Sequence, residues 1–263
     1  MIYAEERYNR ILELLSQKGR VDSSELVDVL NTSRETIRRD LNKLAEEGHL
    51  IKTHGGAILP DHTASGFDFP FTAREKAHPV EKADICAWAA QNIHEPETIF
   101  LDNSSTVGHL LEFIPRQYKL NILVNSVPLL LRFCQMQNPN WNIISLGGSL
   151  VYPTMSVNRY LTTDALKNFR PTKAFLSCHS IDENFIATDS YLDDVELKRY
   201  AAELSEETYL LVDHSKLNRS GVMKIADATL FDHIVTDEKA DPDFLAELKT
   251  LHGSVHLAPT RTK

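Results

Sequence analysis

The stretch that most constrains this chain is Ser33 to Leu44, which reads Ser-Arg-Glu-Thr-Ile-Arg-Arg-Asp-Leu-Asn-Lys-Leu. Ile37, Leu41 and Leu44 fall at i, i+4 and i+7, so a helix here presents one apolar face to a core. Glu35, Arg39, Asn42 and Lys43 point most directly away from that face, with Thr36 and Arg38 on its flanks. Ser33 is a good N-cap, so the helix starts where the polar contacts begin. Arg and Lys neutralise phosphates, and Arg and Asn also read base edges in a major groove. The plain alternative is an amphipathic helix with a solvated face. Taken alone the stretch favours that alternative, and its surroundings reverse the balance.

Tyr8, Ile11, Leu12 and Leu15 predict a first helix running to about Lys18 and ended by Gly19. Asp22-Ser-Ser-Glu25 is a capping-box pattern opening a second helix, with Leu26, Val29 and Leu30 inward. Asn31-Thr32 turns into the Ser33 helix, which Gly48 ends. Leu50–Thr53 reads as a strand, His54-Gly55-Gly56 as a tight turn and Ala57–Leu59 as the returning strand. Three short helices and a hairpin make a winged helix-turn-helix, whose hairpin would lie beside a duplex with Lys52 and His54 near the backbone.

The charge balance counts against this reading. The net charge is −9, and residues 1–57 alone carry −1. Yet residues 33–44 hold four basic and two acidic side chains, and local placement matters more for docking than the total.

Arg7, Ile11, Leu15, Ser33, Thr36, Ile37, Arg38, Arg39, Asp40, Leu41, Gly48 and His54-Gly55-Gly56-Ala57 together resemble the signature of the deoxyribose operon repressor (DeoR) family of bacterial regulators, over nearly all of residues 5–59. The resemblance implies operator binding by the Ser33–Leu44 helix. Ser33, Arg34, Thr36, Arg38, Arg39, Asn42 and Lys43, with Lys52, His54 and Gly55 of the hairpin, are the expected contacts to double-stranded DNA. For the arginines the alternative is intrahelical pairing, Glu35–Arg39 being the obvious pair, and Asp40 reads as structural.

Residues 60–79, with four prolines and glycines among three phenylalanines, read as a linker. A helix is expected over Glu81–Ile93. Strands are expected at Thr98–Leu101, Asn121–Val124, Asn142–Leu146, Lys173–Leu176, Thr208–Val212 and His233–Thr236. Helices fall near 105–114, 127–136, 162–169 and 194–205, and the tail adds a helix near 242–250 and a strand at Ser254–Leu257. This alternation predicts an α/β domain with a largely parallel sheet over residues 80–263, behind a winged helix-turn-helix over 1–59.

Ligands of such sheets bind at the carboxyl ends of strands. The first expected strand leads into Asp102-Asn-Ser-Ser-Thr106, where Ser104, Ser105, Thr106 and helix-start N–H groups would cradle a phosphate. Asn125 follows the second strand and Gly147-Gly148 the third, where absent side chains allow close approach. Asp213-His-Ser-Lys216 supplies a carboxylate for sugar hydroxyls and a cation for phosphate, and Lys198 is a further candidate. Each has a plain reading as an N-cap, a turn or a locally bonded loop; four such clusters at four strand ends are harder to dismiss together.

This half is similar to the family's effector domain, whose fold resembles ribose-5-phosphate isomerase. The matching residues are Asp102–Thr106, Asn125, Gly147-Gly148, Lys173-Ala-Phe175, Ile181-Asp182, Lys198-Arg199, Asp213-x-Ser-Lys216 and Thr236-Asp237. Ser104, Asn158 and Ile186-Ala187 depart from positions where glycine is common in the family. The Asp-x-Ser-Ser-Thr form, Ser177-Cys-x-x-Ile-Asp182 and Ser215-Lys-x-Asn-Arg-Ser-Gly221 look most like the L-fucose operon activator branch, which implies L-fuculose 1-phosphate or a related sugar phosphate as effector. The resemblance also implies a homo-oligomer.

No run of 18 apolar residues is present, and the polar start is not a signal peptide. Cys86, Cys134 and Cys178 fit neither a disulfide framework nor a zinc module, so a cytoplasmic protein is expected. There is no Gly-x-Gly-x-x-Gly after a strand, no Walker-type loop and no His-Glu-x-x-His, so no cofactor or metal is expected. His252 and His256 lie in a probable strand segment, where their spacing forms no metal pair. The expectation is a sugar-phosphate-controlled transcriptional regulator that is not an enzyme. One alternative is an aldose–ketose phosphate isomerase, with Asp102 or Asp213 as base and Lys216 as electrophile; it leaves residues 1–59 without a purpose. Another is a head that contacts only protein.

Overall fold

The structure is a computed structural model that describes residues 4–18, 20–46, 50–53, 55–58, 71–152 and 154–261. It divides into two compact units, Met1–Ala77 and His78–Lys263.

The first unit runs α1 (Ala4–Lys18), β1 (Arg20–Asp22), α2 (Ser23–Val29), α3 (Arg34–Glu46), β2 (Ile51–Lys52), β3 (Gly56–Ile58) and α4 (Phe71–Lys76). Ile11, Leu15, Leu26, Leu30, Ile37, Leu41 and Leu44 bury their side chains in one core, as their spacing requires. β3 is the middle strand of a three-stranded antiparallel sheet, β1-β3-β2. β1 is not expected from sequence, because only Val21 among its three residues is apolar.

Other expectations need correction. Asp22 occupies the N-cap of α2, but its side chain makes no capping bond and instead accepts one from Arg20 Nη2 at 3.1 Å. Val29 is 48% exposed, because Leu26 and Leu30 already fill the core face and α2 ends there. The expected linker holds α4, and the next helix opens at Pro79. Six residues are too few to show a periodic pattern, which hides α4 in the sequence. Gly48, His54 and the linker residues before Phe71 lie outside the described residues.

The second unit begins with α5 (Pro79–Ala90), β4 (Glu97–Leu101), a 3₁₀ turn (Val107–Glu112), β5 (Leu120–Val124), α6 (Val127–Met136) and β6 (Trp141–Ser145). The hairpin β7 (Ser149–Val151) and β8 (Ser156–Asn158) follows, then α7 (Tyr160–Leu166), β9 (Lys173–Leu176), β10 (Ser180–Ile181), β11 (Ile186–Asp189) and α8 (Leu192–Leu204). β12 (Glu207–Leu211), a 3₁₀ turn (His214–Lys216), β13 (Met223–Asp227), β14 (His233–Asp237), α9 (Pro242–Leu251) and β15 (Val255–Ala258) complete it. Seven strands form one parallel sheet in the order β15-β14-β12-β9-β4-β5-β6. β10, β11 and β13 form a separate antiparallel sheet.

A parallel sheet must bury both faces, and successive residues here alternate between two cores. Ile99, Leu101, Ile122, Val124, Phe175 and Val235 pack with Ile85, Cys86 and Ala89 of α5 and Phe133 of α6. Phe100, Leu123, Leu176 and Ile234 pack with Leu166, Leu197, Ala201 and Leu248 on the other side. The helix expected near 105–114 is only a short 3₁₀ turn, which contains Gly108 and stops before Pro115.

Candidate DNA interface and ligand site

In the first unit, Ser33 caps α3: its Oγ accepts from the Thr36 N–H at 3.1 Å and lies 2.8 Å from Thr36 Oγ1. Ser33, Arg34, Arg38, Arg39, Lys43, Lys52 and Gly55 are exposed, while Thr36 and Asn42 are half-buried. Lys52 Nζ donates to Asn42 Oδ1 at 2.6 Å, which ties β2 to α3. Lys43 Nζ sits 5.2 Å from the Tyr8 ring centroid. His54, an expected contact, lies outside the described residues.

Intrahelical pairing is present too. Glu35 accepts from Arg38 Nε and Nη2 at 2.8 and 2.7 Å, and from Arg39 Nε at 3.2 Å. The Arg38 bond does most to lower the Glu35 carboxyl pKa, to about 2. Exposed pairs of this kind contribute little, so they leave both arginines open to a competing phosphate. Asp40 is different. It is buried and takes Arg7 Nε and Nη2 of α1 at 2.7 and 3.0 Å, which locks α3 against α1. Its partner is thus a residue 33 positions away and not a neighbour on the same helix.

Gly56 holds the sheet together by what it lacks. A Cβ there would lie 1.9 Å from Val21 O, so only glycine lets β3 approach β1 this closely.

In the second unit the strand order marks the place where ligands of such sheets bind. β4, β5 and β6 step one way across the sheet, and β9 returns to the other side of β4. The crevice for a ligand in a sheet of this kind lies at that reversal, beyond the carboxyl ends of β4 and β9. Asp102 spans it: its carboxylate accepts from the Ser104 and Ser177 N–H groups, each at 2.8 Å. Ser104 Oγ accepts from Val107 N–H at 3.0 Å and so acts as a cap. Ser105 Oγ accepts from Lys82 Nζ at 3.3 Å. Lys216 Nζ donates to Ser177 Oγ at 3.2 Å and to Cys178 O at 2.9 Å. Asp213 accepts from the Ser215 N–H and Oγ. Burial pushes the Asp213 carboxyl pKa up, but Lys216, Lys82 and His78 bring it below its ordinary value.

Several buried polar atoms at these strand ends have no hydrogen-bond partner among the described residues. They are Thr106 Oγ1, both amide atoms of Asn125, Asp213 Oδ2 and, within β14, Thr236 Oγ1. Such atoms are costly unless something satisfies them.

The expected residues do not all share one role. Lys198 is buried among carboxylates, bonded to Asp189 and 3.6 Å from Asp102. Burial works against its charge, yet Asp189, Asp102 and Asp194 raise its pKa. Asp194 in turn accepts from Asn103 and Asn158. Burial, opposed by Lys198 but reinforced by Asp189, pushes its carboxyl up to about 6. Gly147 and Gly148 are exposed, and a Cβ on Gly148 would lie 2.2 Å from Thr162 Oγ1. Packing of α7 therefore accounts for Gly148.

Sequence reading missed Lys82, Asn103, Asp189 and Asp194. For two of them a signal exists. Lys82 falls in register with Ile85, Cys86, Ala89 and Ile93, and Asp194 with Leu197, Lys198 and Ala201. A charged side chain on the apolar stripe of a helix must be buried, and then needs a partner.

Comparison with known proteins bears on both units. Residues 7–63 match the DeoR-like helix-turn-helix domain and residues 77–238 the DeoR C terminal sensor domain. The chain is 30% identical to an uncharacterized HTH-type transcriptional regulator, YulB, of Bacillus subtilis (strain 168), over 97% of this chain and 96% of that one. It is 31% identical to the glycerol-3-phosphate regulon repressor of Escherichia coli (strain K12), covering 96% and 98%. It is 30% identical to a lactose phosphotransferase system repressor of Staphylococcus epidermidis, covering 88% and 91%. Ribose 5-phosphate isomerase A of Methanocaldococcus jannaschii is a structural neighbour at 13% identity and TM-score 0.38 over 52% of this chain and 53% of that one, too weak a likeness to bear on function. With both of its units matched and relatives spanning nearly its whole length, the chain belongs to the DeoR family of transcriptional regulators.

Proposed function

We propose that the protein is a regulator of a carbohydrate-utilisation operon whose second unit binds a phosphorylated sugar and thereby changes operator affinity. The observation that carries the ligand is the set of buried, unpartnered polar atoms of Thr106, Asn125 and Asp213 at the strand ends around the β4–β9 crevice, with Lys82 and Lys216 beside it. Hydroxyl-rich ligands satisfy such atoms, and two ammonium groups that donate to serine hydroxyls there can also donate to the oxygens of an anion. Two relatives are named for a glycerol-3-phosphate regulon and a lactose phosphotransferase system, which supports the same class. The Asp-x-Ser-Ser-Thr form at 102–106 makes L-fuculose 1-phosphate the first sugar phosphate to try.

Ser33, Arg34, Thr36, Arg38, Arg39, Asn42, Lys43, Lys52 and Gly55, and His54 from the sequence, form the operator-contacting set in this reading. Residues 1–59 act as the DNA-binding domain and 80–263 as the effector and oligomerisation domain. Paired heads on repeated half-sites raise affinity above that of one small domain. The protein works in the cytoplasm, where its operator is; among the described residues no helix is long and apolar enough to cross a membrane. The isomerase alternative fares worse. Asp102 has both oxygens occupied by backbone N–H groups, and Asp213 is held below the ordinary carboxylate range, so neither suits a base near neutral pH.

Ser105→Ala and Lys216→Ala test the site. Both variants are expected to bind operator as the parent does and to lose the response to the effector. A normal response in both would displace the site from the β4–β9 crevice.

A further inference from the structure

We propose that the outer face of the β7–β8 hairpin, continued by the first turn of α7, is the surface through which two copies of this chain pair. This rests on the reading of the protein as a regulator that sets paired heads on its operator. It names the face that pairs them.

A hairpin on a domain surface ordinarily turns its apolar side inward and its polar side to water. This one is reversed. Ser149 stands opposite Asn158, Leu150 opposite Val157 and Val151 opposite Ser156. Opposed residues share a face, and the next pair takes the other face. Ser156 and Asn158 are fully buried on the inner face. There Ser156 Oγ lies 2.8 Å from Thr154 Oγ1, and the Asn158 amide donates to Asp194. The other face carries Leu150, 44% exposed, and half-buried Val157. Tyr152, just past the end of β7, is 76% exposed.

The apolar surface continues onto the neighbouring helices. Thr162 Oγ1 donates to Gly147 O at 2.7 Å, which holds the first turn of α7 against the start of the hairpin. Tyr160 and Leu161 in that turn are 73% and 65% exposed. Arg159 Nε lies 3.6 Å from Asp193 Oδ2, so the start of α8 stands beside them, and its Leu192 is 57% exposed. Five large side chains at such exposures leave on the order of 600 Å² to water, the upper end of what a monomer shows in one patch. A standard interface takes about 800 Å² from each partner, polar rim included.

Charge points to a second copy as the occupant. The chain carries −9, so two copies repel and meet most readily on a face without net charge. Residues 147–162 hold one charged side chain, Arg159, in a chain that is 25% charged. Asp193 stands next to it. A two-fold contact sets one patch against itself, so each copy's Arg159 can face the other's Asp193. Tyrosine-rich, charge-poor surface of this kind is the composition of an interface core. The hairpin then has a partner on its outer face and, through Asn158 and Asp194, the candidate ligand site behind its inner face.

The test is sedimentation of the full chain over a range of concentrations, with circular dichroism and unfolding curves as the check of folding. The parent is compared with a Tyr152→Glu, Leu161→Glu double variant. Leu251→Glu, which adds the same charge at a 52% exposed leucine of α9, is the control. Tyr160→Ala with Leu161→Ala adds no charge and decides the matter if the glutamates disturb the fold. The expected result is a self-associating parent, a dissociation constant raised at least about tenfold in the hairpin variants, and a parent-like control. A parent that associates and hairpin variants that do so equally well would overturn this face while leaving the pairing of heads standing. Dissociation of the control to the same extent would also overturn it, since charge anywhere would then suffice. A parent that stays a monomer at every concentration would overturn the pairing and this inference with it.

Discussion

Glu35 occupies two of the arginines on which the proposed DNA face depends. If Arg38 and Arg39 neutralise phosphates, they must leave Glu35 to do so. Replacing Glu35 with Gln is then expected to tighten operator binding, and Arg38→Ala or Arg39→Ala to flatten the salt dependence by about one unit of slope each. Titrations at four salt concentrations read both, and unchanged slopes would mean that the arginines only pair along the helix. Asp40 carries a separate prediction. Its bidentate bond to Arg7 joins α1 to α3, so Asp40→Asn should lower the stability of the first unit by about 1.5–3 kcal/mol, measured by denaturant unfolding. In the second unit, the Asp194 carboxyl is raised to about 6, so it favours the fold while protonated. That contribution is complete below the unfolded value near 3.8 and is lost as pH rises through about 6. Relative to the parent, Asp194→Asn should therefore gain about 2 kcal/mol between pH 4.5 and pH 7.5, as seen in unfolding curves at the two pH values. A gap that does not change with pH would mean that Asp194 is ionised throughout.

At the scale of elements, the strands of the parallel sheet and the β2–β3 hairpin were legible, while β1, β13 and the short antiparallel pieces of the second unit were not. Runs such as Ile99–Leu101 and Ala174–Leu176 are continuous and apolar because both faces of the sheet are covered. The antiparallel pieces β7, β8, β10 and β11 have two to four residues each, with serine, threonine or asparagine among them, and leave no periodic trace. β1 was invisible for the same reason, yet it supplies the edge on which β3 is built. Gly56→Ala tests this contact. The added Cβ would collide with Val21 O, so the sheet should open and operator binding should fall along with the unfolding midpoint. A variant with parent-like stability would show that β1 can move aside at little cost. The candidate ligand site was half legible. Strand-end residues such as Asp102, Ser105, Asn125 and Asp213 follow from the α/β pattern alone. Lys82 and Asp194 reach the same region from helices, and the order of the strands, which sets the point of reversal, is not written in local sequence.

For the whole molecule, a head that binds DNA is coupled to a domain that binds a sugar phosphate through a shift in operator affinity. A coupling of this kind is typically worth about 1–3 kcal/mol, or roughly fivefold to 150-fold in affinity. By reciprocity, operator DNA must change the affinity for the sugar phosphate by the same factor. The most direct measurement is a titration of operator DNA from the chain's own upstream region at fixed salt, with and without a panel of sugar phosphates that includes L-fuculose 1-phosphate. The expected result is specific binding that one sugar phosphate shifts at least about fivefold, and that its unphosphorylated sugar leaves unchanged. Specific binding that no sugar phosphate alters would contradict it.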